Sequence, residues 1–123
     1  MNLSLHLLVA ALLMMVLTAS AQAIMHYPPI MEGKIAQYPG SEIVQTTSVE
    51  VSSQVILQTN DSMDKVTAFY KRELLNNGLK TEIETSHAKG WNVFFSHNEA
   101  GGMIGVTQQK PGKIIITIVY SLQ

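Results

Sequence analysis

The sequence contains no cysteine, which excludes disulfides, thiolate zinc sites, thiol catalysis and a lipidated N-terminal cysteine. Charge is sparse as well. The chain sets 8 Lys+Arg against 9 Asp+Glu in 123 residues, for a formal net charge of −1. That balance excludes a nucleic-acid binder relying on a broad basic surface. The length allows one domain. Hydrophobic residues make up 46% of it, and they are unevenly placed.

Residues 1–23 carry none of the Lys, Arg, Asp or Glu and include an unbroken apolar run from Leu7 to Leu17. Such a run is too short for the roughly 20 residues that cross a bilayer as a helix. It is followed by Ala21-Gln22-Ala23, an A-x-A pattern expected just before a signal-peptidase site. Residues 1–23 therefore read as a secretory signal peptide cleaved after Ala23, with an uncleaved N-terminal anchor as the alternative, because the n-region has no Lys or Arg. After cleavage no stable membrane span is expected. The remaining chain has the mixed composition of a globular domain. Ordering about 100 residues costs on the order of 100–200 kcal/mol of conformational entropy, so its large apolar side chains must be buried together. Without cysteine, that stability rests on packing alone. This suits a periplasmic or secreted bacterial envelope protein better than a disulfide-stapled secreted factor.

Residues 24–36, with Pro28-Pro29 and Gly33, read as an extended N-terminal arm. Its apolar residues are too many for a solvated linker, so part of it should lie on the folded body, a single α+β domain over 37–123. Tyr38-Pro39-Gly40 supplies a type II turn. The β-branched stretch Ser41 to Asn60 predicts a hairpin of Ile43–Val51 against Gln54–Thr59, reversing near Ser52-Ser53. Asp61 to Leu79 predicts a helix: Val66, Phe69, Tyr70 and Leu74 share one face, Asp61 is placed to cap the first turn, and Gly78 to end the last with Leu79 folding back on Leu74. Three or four strands follow, separated by Lys89-Gly90, Ala100-Gly101-Gly102 and Lys110-Pro111-Gly112. The fold class is thus two-layer α+β, one main helix on an antiparallel sheet of about five to six strands, in the order ββαβββ(β).

Tyr38-Pro39-Gly40-Ser41, then Thr59-x-Asp61-Ser62 opening a helix with Phe69-Tyr70-Lys71 that closes at Gly78, resembles a group of small bacterial secreted or periplasmic domains. These share a Y-P-G-[AS] turn and a T-x-D-S…F-Y-[KR]…G helix, and the resemblance spans about Gln37 to Phe95. It implies an envelope location and an α+β fold with one helix, and no catalytic residue. The chain departs from the group at Leu79, where Trp is usual.

No catalytic, cofactor-binding or metal-binding set is expected. Asp61 and Asp64 are accounted for by capping rather than acid–base chemistry. His97-x-Glu99, expected near the turn holding His87, matches no established ligand spacing. Gly101, Gly102 and Gly105 lack the helix and lysine of a phosphate loop and read as a hairpin turn. Ser86, Ser96 and the histidines form no nucleophile motif. The candidates for ligand or partner contact are Tyr27, Tyr38, Tyr70, His97 and Glu99. Phe94 and Phe95, adjacent on one strand, point to opposite faces of the sheet. One face takes the helix. The other needs the arm, a second subunit or a ligand, and cover by the arm is the simplest expectation. Two functions follow: a non-enzymatic domain binding an envelope component or itself, or a small-ligand or enzymatic cleft between helix and sheet using Tyr70, His97 and Glu99.

Overall fold

The computed structural model describes residues 25–123; the expected signal peptide and its cleavage site lie outside the described residues. Six strands form one antiparallel sheet: β1 (Glu42–Val49), β2 (Ser52–Thr59), β3 (Lys80–His87), β4 (Gly90–His97), β5 (Ala100–Lys110) and β6 (Lys113–Leu122). Their spatial order is β1-β2-β6-β5-β4-β3. One helix, α1 (Met63–Asn76), connects β2 to β3. The result is the expected two-layer α+β architecture with the chain order ββαββββ.

The helix ends as its sequence predicts. Gly78 takes φ +68°, the Leu79 amide donates to the Leu74 carbonyl at 2.9 Å, and Leu74 and Leu79 are buried together, which is a Schellman closure. Its start differs by one residue. Ser62, not Asp61, is the cap, its hydroxyl accepting from the Lys65 amide at 3.2 Å. Asp61 is instead held by Tyr38, whose phenol donates to its carboxylate at 2.5 Å.

The Tyr38-Pro39-Gly40-Ser41 turn forms as expected, with Gly40 at φ +79° and the Ser41 amide donating to the Tyr38 carbonyl. The first hairpin reverses two residues earlier than expected, at Glu50-Val51, with Glu50 at φ +48°. Register with the central strand explains the shift. Ser52 and Ser53 are already paired to Ser121 and Tyr120 of β6, and Ser53 is buried. Gly101 and Gly102 are likewise not a turn but the start of β5.

Alternate residues of the inner strands form the core: Val55 and Leu57 on β2, Ile114, Ile116 and Ile118 on β6, Ile104 and Val106 on β5, Trp91, Val93 and Phe95 on β4. Helix α1 covers this face on the β5 and β3 side, and a short 3-10 turn (Pro29–Met31) covers it over β2. The arm is therefore packed, as expected, but on the helix side. Met31 and Ile35 are fully buried. The arm is also tied to the helix by polar contacts. Tyr70 donates to the Ala36 carbonyl at 3.1 Å, the Ala36 amide to the Glu73 carboxylate at 2.8 Å, and the Asn77 side chain to the Lys34 carbonyl at 2.7 Å. Cover of the opposite face by the arm is thereby excluded.

Candidate functional site

Register places every far-face residue. One row crosses the sheet as Thr47, Gln54, Val119, Met103, Phe94 and Ile83, and the next as Gln45, Ile56, Thr117, Gly105, Asn92 and Thr85. Val119, Met103, Phe94 and Ile83 thus make an apolar stripe across four strands. Ile56 and Ile115 lie beside it. Phe94 is 47% exposed and Ile83 59%.

Charge on this face is confined to its rim. Glu42, Lys80 and Lys113 occupy the first positions of their strands, Lys110 ends β5 opposite Lys113, and Glu82 sits at the β3 bulge, where it accepts from Ser96 at 2.6 Å. Inside that rim stand only aliphatic, aromatic, hydroxyl, amide and glycine residues. The helix layer differs sharply: Asp64, Lys65, Lys71, Arg72 and Glu73 crowd one helix. Depletion of charge at the centre of a surface with apolar residues exposed is the compositional mark of an association surface.

Glycine shapes the same face. Gly101 and Gly105 flank Met103 on β5 with no side chains of their own. Over Gly101 this leaves a furrow, a shallow cavity of about 480 Å³ lined by Phe94, Gly101, Met103, Val119, Ser121 and Gln123, whereas the Asn92 side chain closes over Gly105. Gly102, between them, belongs to the inner face. The Phe95 ring lies where its Cβ would stand and approaches Tyr120 at 6.2 Å between centroids.

A second concavity, about 530 Å³, opens between the N-terminal half of α1 and the β3–β4 hairpin. Ser62, Asp64, Thr67 and Lys71 face Ser86, His87 and Gln108 across it, and the buried Thr67 hydroxyl has no hydrogen-bond partner. Lys71 also approaches Glu84 at 3.9 Å, which accepts from the Trp91 indole at 2.8 Å.

The five residues singled out in the sequence divide into two separate groups. Tyr27, Tyr38 and Tyr70 hold the arm and its following turn to the helix. Tyr27 donates to the Ile35 carbonyl at 2.6 Å, and Tyr38 packs edge-on to Phe69 at 5.2 Å, itself 4.9 Å from Tyr70. Burial pushes the Tyr27 and Tyr70 phenols well above their ordinary range. Burial and then the bond to Asp61 push Tyr38 up to about 12. These are packing and fastening roles. His97 and Glu99 lie at the β4–β5 end, beside Lys34 and Leu122, whereas His87 closes the other end of the β3–β4 pair. The expected proximity of His97 and His87 does not occur, and among the described residues no cluster of three metal-ligating side chains is present. Tyr70, His97 and Glu99 do not line one cleft. The far-face row was missed as a site because its pattern becomes visible only when four strands are laid side by side.

A two-layer sheet-and-helix domain of this kind is defined by its topology, and comparison gives it a family. A model described as START domain-like matches residues 41–112, more than half of the chain, and the chain belongs to that family. The match runs from the residue before β1 to the turn before β6. Comparison with curated proteins and with solved structures returns no match. Among the described residues no helix is long and apolar enough to cross a membrane.

Proposed function

We propose that this protein is exported to the bacterial envelope by its N-terminal apolar segment and acts there without catalysis, as a binding or self-association domain. Its working surface is the far face of the sheet. The observation that carries this reading is the charge-free interior of that face, with Phe94 and Ile83 projecting from it. A buried-core function would leave such a face to solvent, where charged side chains are the common occupants. A periplasmic location is tested by fractionating cells that produce the full chain: the mature species should begin at Ile24 and reside outside the cytoplasm. The association reading is tested with an apolar fluorescent dye. With the protein dilute enough to sediment as a monomer, dye fluorescence should rise with the parent and fall severalfold with Phe94→Asp. Equal signals from both would overturn it.

A second reading is a small-ligand site in the groove between α1 and the β3–β4 hairpin, favoured by its polar lining of Ser62, Asp64, Lys71, His87 and Gln108. Screening for thermal stabilisation by small polar solutes, abolished in Lys71→Met, is the corresponding test.

A further inference from the structure

We propose that the far face pairs with the same face of a second copy of this chain, the two sheets stacking so that Phe94 of each protomer seats in the glycine furrow of the other. The inference rests on the association reading above and names its partner.

Three observations point to a second copy. The first is area. Six strands about 4.8 Å apart, each about eight residues long at about 3.3 Å per residue, outline a face of roughly 700 Å², close to the about 800 Å² per partner of a standard stable interface. The second is charge. In a two-fold contact a surface meets itself, so net charge on it would be self-repelling. This face keeps Glu42, Lys80, Lys110, Lys113 and Glu82 at its edges and nothing charged within. The third is shape. A knob, Phe94, and a hole, the furrow left by Gly101 beside Met103 and Val119, lie next to each other on one face. Such adjacency is what an isologous contact requires, because each protomer must supply both parts. Pairing through sheet edges is less favoured: β1 and β3 each carry a bulge, a device that disrupts edge-to-edge pairing.

Sedimentation velocity on the protein recovered from cells producing the full chain tests the proposal. Two variants attack the interface from opposite sides. Phe94→Ser removes the knob at a half-exposed position. Gly101→Val fills the hole, and a Cβ there makes only ordinary contacts with the Phe95 carbonyl oxygen at 3.4 Å and the Gln123 side chain at 3.5 Å. The expected result is a dimer whose dissociation constant rises at least about tenfold in each variant, a loss of 1.4 kcal/mol or more. Leu75→Lys, at an exposed position on the helix layer, should leave it unchanged to within about twofold. A dimer insensitive to both face variants, or broken by Leu75→Lys, overturns the stacking arrangement. A monomer at every concentration overturns the dimer. If that monomer still binds the apolar dye in a Phe94-dependent way, the association reading stands with another partner, and if it does not, both fail.

Discussion

Gly102 is the residue whose change the sheet can least accommodate. A Cβ there would overlap the Val119 carbonyl oxygen and stand 2.7 Å from the Phe95 ring. Neither can yield easily, because the first is ladder backbone and the second is buried between Gly102 and Tyr120. Gly102→Ala should therefore destabilise the fold by about 1–3 kcal/mol, the range of forced overpacking, read from the urea midpoint. Gly101→Ala, one residue away on the open face, should change it by less than about 0.5 kcal/mol. The contrast separates a glycine required by packing from one that leaves a furrow. Asp61 offers a second residue-scale check. The bond from Tyr38, ahead of a smaller contribution from Lys65, holds its carboxyl below the ordinary 3.8. A depressed folded-state value stabilises the protein above the unfolded value and loses that contribution as pH falls through the folded one. In Tyr38→Phe the Asp61 carboxyl, followed by its NMR shift, should titrate closer to 3.8, and the acid limb of the stability curve should flatten.

At the scale of elements, arm and helix form one fastened layer. Tyr27 and Tyr70 are raised first by burial, then by Glu73 for Tyr27 and by Tyr27 for Tyr70. A raised phenol leaves its stabilisation intact below the unfolded value of 10.0 and loses it progressively as pH rises above that. The urea midpoint should thus begin to drop above about pH 10 and keep falling toward pH 12, and Tyr27→Phe should reduce the drop while lowering stability at neutral pH by about 1 kcal/mol through the lost bond to Ile35. At the other end of the helix, Gly78→Val should cost about 1 kcal/mol or more, because the cap needs φ > 0. That cap was legible in the sequence because all of its parts, Leu74, Gly78 and Leu79, are local. Where the reading slipped, a distant partner decides. Asp61 and Ser62 are equally fit to cap, and Tyr38, 23 positions upstream, takes Asp61 away. Nothing in Glu50-Val51 announces a reversal; the pairing of Ser52 with Ser121 sets it. Gly101-Gly102 looked like a turn because the reason for Gly102, the Phe95 ring, lies on another strand. The arm's apolar content showed that it packs, but its face depends on the space that α1 leaves open over β2.

For the whole molecule, the consequence of placing both helix and arm on one side is a sheet sealed on that side and, among the described residues, bare on the other. The far face became readable only once register put Val119, Met103, Phe94 and Ile83 in one row, since these residues come from four strands separated in sequence and each strand alone looks like a half-buried one. If that row is a contact between two copies, folding and association are linked, and thermal stability must depend on concentration. Each tenfold rise in protein contributes about 1.4 kcal/mol per dimer, half of that per chain, and should lift Tm by about 3–6 °C in a domain of this size. Phe94→Ser should remove the slope. Because Phe94 is half exposed and makes no contribution to the sealed core, the Tm values of parent and variant should converge on dilution. Melting curves followed by circular dichroism over about a hundredfold range of concentration distinguish the two origins of any difference. A gap that persists at the lowest concentration is a folding defect of the single chain, whereas a gap that opens only with concentration belongs to the stacked sheets.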